Sequence, residues 1–456
     1  MAKTIRIKQV LDIPLAGKAQ EITKWAATPS FYTLFPDDFH GFIPKVAVKQ
    51  GDKVLAGTPV LYDKNRTELK VVSPVSGEIA AVNRGEKRKL LSIVIQADSE
   101  KAKVDFGKQK VQTLSPETIK TALANSGLLA FIRQRPYDVV ASPQDTPRDI
   151  FVSGFNTAPL SPNVEYILKG NEADFQTGLD ALASITAGDV YLSIHVNCQS
   201  PALREANRVK VVAFSGAHPA GNVGVQINHI RPVNKGDVVW TVQPQDVIAI
   251  GRFFNHGQVD LTRLVAFTGS EVNEAARAYY PMLPGANIKS LVNCQVTETM
   301  DLRYISGNVL TGTQIAADGS LHAFDNQITV IPEGDETHEF AGWIMPRINQ
   351  FSVSRTYPAF ILKMFTKKNY DMDARIKGGK RAMIMSNEWD KVFPMDILPE
   401  FLIRAILAQD IDKMENLGIY EVAPEDFALC EFVDTSKMEL QKIVRAGLNW
   451  LNKEMQ

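Results

Sequence analysis

Apolar positions in the first hundred residues come in short alternating runs. Thr4-Ile-Arg-Ile-Lys8 alternates with period two. Lys45–Val48, Val54–Leu55, Val60–Tyr62 and Leu69–Val72 follow, with Gly, Pro or Asp at the breaks. Lys89–Gln96 reads as a closing strand, and Ser99-Glu-Lys-Ala-Lys103 as a polar linker. Residues 1–103 thus predict an all-β domain. From 104 to 256 helix and strand alternate. Ser115 stands as an N-cap before Pro116 at the first helical position, Ile119, Ala122 and Leu123 make an apolar face, and Gly127 stops the helix. Asp149–Ser153, Val190–Val196 and Arg208–Phe214 are strands. Between the first two lies a helix, Glu172–Ala187, with Phe175, Leu179 and Leu182 on one side. Strands separated by helices predict an open α/β sheet.

The pattern changes again after 256. In 257–332, Leu264–Phe267, Leu302–Ile305, Gly307–Gly312 and Ile328–Ile331 are strand-like, with a short helix predicted over Glu271–Ala278. One helix against a small sheet suggests a β-grasp module. Residues 333–456 end in helices. One is predicted over Asp396–Ala408, and another is opened by a capping box, Ser436-Lys-Met-Glu439, with Leu440, Ile443, Val444, Leu448 and Leu451 on one face.

Composition narrows the classes. The chain has 456 residues, 45% apolar and 22% charged, with a formal charge of −1. That suits a globular protein of several domains and shows no nucleic-acid signature. No apolar run approaches the roughly 18 residues of a membrane span, and the N-terminus has no signal-peptide pattern, so a cytoplasmic chain is expected. Three cysteines, Cys198, Cys294 and Cys430, are too few and too far apart for a disulfide framework or a ferredoxin-like cluster. His195-Val-Asn-Cys198 is half of a zinc pattern with no second half. Lys363–Arg381 holds seven basic and two acidic residues. It reads as a solvated surface, or alternatively as a dock for lipid headgroups or an acidic partner.

Three stretches carry candidate chemistry. Gly51-Asp52 to Ser73-Pro74-Val-Ser-Gly77 resembles the lipoyl/biotinyl carrier pattern, with Lys64 as the lysine to be modified. Lys64 lies ten residues before Pro74, about two more than lipoyl hairpins have, which points to a barrel without its swinging arm. Ser215–Gly224 is rich in glycine and follows a strand. Because Val225–Ile230 alternates like another strand, no helix N-terminus is expected there for a phosphate, and the glycines are read as a turn. Gly127–Pro136 places Phe131 beside Arg133 and Arg135. This suits either an apolar stretch under the sheet with two solvated arginines, or a contact for an acidic partner or polarised carbonyl.

The order of modules, with several local matches, resembles the A-subunit family of the sodium-translocating NADH:quinone oxidoreductases over essentially the whole chain. The matches are Ile13–Gly17, Phe39-His-Gly41 with Val48–Asp52, Phe131–Pro136, Gly154–Leu160, His218–Gly221, Pro394–Pro399 and Asp426–Val433. The resemblance implies an α+β multidomain fold: a barrel-sandwich hybrid (1–103), a Rossmann-like α/β domain lacking an FMN loop (104–256), a β-grasp, SLBB-like module (257–332) and a mostly helical C-terminal domain (333–456). It implies a peripheral subunit on the cytoplasmic side of the bacterial inner membrane, in a complex that oxidises NADH, reduces quinone and exports sodium. The partners are the other subunits, which carry the flavins and iron centres; membrane attachment runs through them. Related subunits, of the Rnf type and of complex I, hold FMN on a glycine-rich loop and carry iron–sulfur clusters. Here only Gly127 of that loop remains, with bulky Leu128, Leu129 and Phe131 where backbone must approach a flavin phosphate. Cys430 looks like the remnant of a cluster-binding run. No cofactor, metal or catalytic residue is expected in this chain, and Phe131, Arg133 and Arg135 are the expected quinone or partner contacts. A free-standing lipoyl/biotinyl carrier or flavin electron-transfer subunit is the alternative, and a ligand sensor built on the β-grasp module a further one.

Overall fold

The computed structural model describes residues 4–293, 295–297, 300–334, 350–354, 361 and 368–455. Lys363, Lys367 and Cys294 lie outside them. Among the described residues the strands form four sheets. The barrel-sandwich hybrid is built from two of them. One has the order Phe31–Leu34, Leu90–Ala97, Gly77–Arg84, Lys53–Val54; the other has Pro44–Val46, Pro59–Asp63, Lys70–Val72. Alternation turns Ile79, Ile93 and Ile95 inward, and Val60 and Leu61, beside a register shift between Pro59 and Leu61, are both buried with Leu69 and Val71. Lys64 is exposed at the start of a hairpin turn. The Asp63 carboxylate ties that turn down by accepting from Asn65 N (2.8 Å) and Arg66 N (2.9 Å).

The central sheet has seven strands. Five run parallel in the order Thr4–Arg6, Lys210–Ser215, Val190–His195, Asp149–Ser153, Val239–Val242, and an antiparallel ribbon, Arg133–Arg135 with Val139–Val140, completes it. The alternation at Thr4–Lys8 therefore does produce a strand, but one that pairs with Ala213–Ser215 at the edge of this sheet and not with the barrel. Ile7 then packs with Phe214 and with the C-terminal helices. Ser115 caps its helix as expected, its side chain accepting from Thr118 N, and Gly127 turns the chain out of it at φ +76°.

Three predicted elements differ. Val225–Ile230 is not a strand but part of a helix, Val223–Ile230. Six residues of alternation are too few to fix a period. The tertiary structure decides: Ile227 joins Phe151, Val233 and Val239 in a core that only a helical turn lets it share with Ile230. Gly307–Gly312 is a turn, because the Asn308 side chain accepts from Leu310 N and Thr311 N and so competes with a ladder; the strand is Thr313–Ile315. Glu271–Ala278 contains only a 3-10 turn, Glu274–Ala276.

The SLBB-like module is a five-stranded sheet in the order Tyr279–Met282, Arg263–Thr268, Gln327–Pro332, Leu302–Ser306, Thr313–Ile315. At the C-terminus, helices Pro399–Leu407, Ile411–Asn416, Ala428–Val433 and Leu440–Glu454 share one core with Ile7, Val212 and Phe214. The last helix buries Leu440, Val444, Leu448 and Leu451. The capping box is absent. Ser436 is buried and donates to the Ala382 carbonyl (2.9 Å), and the helix starts at Leu440, after Glu439.

Candidate functional site

In an open α/β sheet a crevice forms where the strand order reverses, at the carboxyl ends. Here the chain runs from Asp149–Ser153 outward to Val190–His195 and Lys210–Ser215, then returns to Val239–Val242 on the other side of Asp149–Ser153. A cleft of about 380 Å³ opens at that point, and Ser153, Phe155, Thr241 and Gln243 line it from the two strand ends. Arg133 and Arg135 line it from the antiparallel ribbon and Phe131 from the 3-10 turn Leu128–Phe131 just before it, so the structure brings the three expected contact residues together. A larger groove of about 1350 Å³ lies between the SLBB-like sheet and the C-terminal helices, but its walls interleave Arg375, Lys377 and Lys380 with Asp371, Asp373, Glu431 and Glu439 and converge on no one chemistry.

The three residues have different positions in the cleft. Phe131 is packed edge-on to Phe39 (5.9 Å between centroids) and lies 5.6 Å from Phe324, forming an aromatic wall. The Arg133 guanidinium lies over the Phe324 ring at 4.2 Å and reaches Asp138 at 3.4 Å. Arg135 is not a solvated arginine. It is 1% exposed and bonds Glu425 (3.1 Å) and Asp426 (3.4 Å) of the C-terminal domain. Burial alone would raise the Asp138 carboxyl, but Arg133, Arg135 and Arg445 hold it well below the usual range. Each arginine lining the cleft is thus matched by a carboxylate, and among the described residues no surplus cation lines it for a phosphate.

Leu128 and Leu129 do not enter the cleft. Both are buried in the core beside Ile119 and Leu123. Of the bulky residues expected against a flavin phosphate, only Phe131 lines the cleft. The glycine-rich loop Ser215–Gly224 is corrected in the same way, since it does lead into a helix. What fills the N-terminal turn of that helix is an acid. A Cβ on Gly224 would stand 2.3 and 2.4 Å from the two Asp426 carboxylate oxygens, so glycine makes room for that carboxylate against the first turn of the helix. Asp426 is buried, and burial raises its carboxyl while Arg135 opposes the rise.

His218, from the same loop, also lines the cleft. It is 5% exposed, its Nδ1 faces the Thr157 hydroxyl at 3.3 Å, and its Nε2 has no partner among the described residues. Burial lowers its pKa to about 4, so the imidazole is neutral at pH 7. Sequence reasoning did not assign His218, Phe324, Glu425 or Asp426 to the site; only the glycines at 221 and 224 signalled that something approaches there. Cys198 and Cys430 are buried free thiols, and the Cys430 thiol is pushed well up by burial. Among the described residues no three His, Cys, Asp or Glu side chains gather as a metal site.

Comparison with known proteins identifies the modules. The family models described as NqrA N-terminal barrel-sandwich hybrid domain, NqrA second alpha/beta domain and NQRA C-terminal domain match residues 5–98, 114–259 and 264–317. The A subunit of the Na(+)-translocating NADH-quinone reductase from Haemophilus influenzae Rd is 35% identical over 99% of this chain and 100% of its own length. The chain belongs to the NqrA family. The Yersinia pestis protein of the same name is also 35% identical over 99% of this chain. Among solved structures, an air-oxidised NAD+-reducing [NiFe]-hydrogenase aligns at TM-score 0.38 and 13% identity, covering 76% of this chain and 68% of that one. The multidomain architecture of this NqrA-family chain is the one expected, and among its described residues no helix is long and apolar enough to cross a membrane.

Proposed function

We propose that the chain is the peripheral, cytoplasmic-side A subunit of a sodium-exporting NADH:quinone reductase at the bacterial inner membrane, carries no redox cofactor of its own, and offers the switch-point cleft to a quinone head group. The character of the cleft carries this reading. Phe131, Phe155 and Phe324 give aromatic walls, Arg133 and His218 are the candidate donors, and the arginine charge is neutralised by Asp138, Glu425 and Asp426. A flat, uncharged ring with carbonyl acceptors suits such a lining, and a nucleotide phosphate does not. Phe131 and Arg133 are the contacts in this reading; Arg135 acts one step back, holding the C-terminal domain against the cleft.

The test is steady-state kinetics of the assembled complex. Phe131→Ala and Arg133→Ala should raise the quinone KM several-fold and leave NADH oxidation by an artificial one-electron acceptor unchanged. An unchanged quinone KM in both variants would reject the site. A stoichiometric flavin band in the isolated chain, or a mass addition on Lys64, would support the free-standing carrier instead.

A further inference from the structure

Three acids line the cleft among the described residues: Asp138, Glu425 and Asp325. Asp138 is paired with Arg133 and Arg445, and Glu425 with Arg135. Asp325 has no ion pair among the described residues, and the one hydrogen bond its carboxylate accepts there comes from the Ser306 hydroxyl to Oδ2, at 2.6 Å. Its Oδ1 lies against Gly307, where a Cβ would stand 3.0 Å away. Asp325 directly follows Phe324, the ring under Arg133, and so sits beside the aromatic wall. His218, buried with its Nε2 unpartnered among the described residues, lines the same cleft, a second sign that a ligand completes it.

The charges that act on Asp325 come from three other residues. His322, three positions earlier, meets Asp38 through Nδ1 at 2.6 Å, and the second Asp38 oxygen accepts from Ala323 N at 2.8 Å. Arg263 is shared with Asp246 at 2.9 Å. Burial raises the Asp325 carboxyl to about 6; the Ser306 hydroxyl, His322 and Arg263 oppose the rise, and Asp38 adds to it. Burial disfavours a charged His322, but Asp38 and Asp325 lift its pKa above the ordinary value. A carboxyl poised in this way exchanges its proton near neutral pH. The other polar groups of the cleft are less suited. Arg133 keeps its protons. His218 is already neutral, and Asp138 is held ionised by its arginines. Glu425 has a side chain 41% exposed and bound to Arg135, and both conditions favour its carboxylate against the upward push of burial and Asp426.

We infer that Asp325 is the proton donor to a quinone reduced in this cleft. The inference rests on the quinone reading above and adds the group that completes the chemistry. Reduction to quinol takes two electrons, which originate in NADH and arrive from a redox centre of another subunit, and two protons. The Asp325 O–H bond breaks, an O–H bond forms at a carbonyl oxygen of the ring, and that C=O becomes C–O. The carboxylate regains a proton from water before the second oxygen is served.

Steady-state kinetics of the assembled complex tests it, with rates normalised to NADH oxidation by an artificial one-electron acceptor. Asp325→Asn keeps the shape and a partner for Ser306 but has no acidic proton. Its kcat with quinone should fall at least about tenfold, with the quinone KM within about threefold of native. Asp325→Glu should retain more activity than Asp325→Asn. The native kcat should decline with rising pH through one titration that Asp325→Asn abolishes. His322→Gln removes a cation and leaves Asp38 unbalanced, so that titration should move to higher pH. A fall of less than tenfold, a titration that persists in Asp325→Asn, or no upward shift in His322→Gln would overturn the inference. If Phe131→Ala and Arg133→Ala raise the quinone KM while Asp325→Asn keeps the native kcat, the quinone site stands and Asp325 is not its donor. If neither raises the KM, both readings fall.

Discussion

Replacing Arg135 by Met separates a binding role from a structural one. Arg135 is 1% exposed, and its guanidinium serves two carboxylates, of which Asp426 is fully buried at its side chain. The substitution keeps the volume and removes the charge. Asp426 is then left in the core opposite Gly224 with no cation, and breaking one half of a buried pair costs about 3–5 kcal/mol. Arg135 belongs to the central sheet and Asp426 to the C-terminal domain, so the cost falls on their contact. The assay is native-state hydrogen exchange at Val223–Ile230 and Ala428–Val433, the elements on either side of that contact. At about 1.4 kcal/mol per decade, opening should become roughly a hundredfold to a few thousandfold more frequent. Adding Asp426→Asn to the variant removes the stranded charge and should restore most of the loss, a coupling that a double-mutant cycle reads directly. Exchange within about tenfold of the native rate in Arg135→Met, or no recovery in the double variant, would refute the reasoning and return Arg135 to the ligand-contact role.

Gly224→Ala would place a Cβ 2.3 Å from an Asp426 oxygen. Both neighbours are fixed, so about 1–3 kcal/mol of destabilisation by urea unfolding is expected, whereas alanine on an open helix would stabilise. His218 has a folded pKa of about 4 against an ordinary 6.5, because burial disfavours its charge. Its contribution is present above pH 6.5 and is lost as pH falls toward 4, because the unfolded chain takes up the proton that the fold refuses. The most it can supply is about 3 kcal/mol, and His218→Asn should flatten the stability curve in that window while leaving its slope above pH 7 alone.

Much of the architecture was legible in the chain because it depends on local periodicity. Runs such as Val190–Val196 and the apolar face of Leu440–Leu451 report which side is buried whatever they pack against. Ser115-Pro116 with Gly127 marks a helix through capping chemistry that involves only near neighbours. The family is legible too, since stretches such as Phe131–Pro136 and Asp426–Val433 are long enough to carry identity. Other features are fixed by distant residues. Thr4–Lys8 has a strand's alternation but finds its partner more than two hundred positions away, in Lys210–Ser215. Val225–Ile230 fits two periods equally, and its helix is chosen by the shared core with Phe151. Phe131, Arg133 and Arg135 were visible as a group, yet their division into a wall, a half-exposed cation and a buried tie was not. Burial and charge pairing depend on Phe324, Glu425 and Asp426, each contributed by another domain. The sequence alone determined the modules, their order and the family; only the tertiary structure decided which charges are neutralised at the cleft, because electrostatics depends on distance in space and not along the chain.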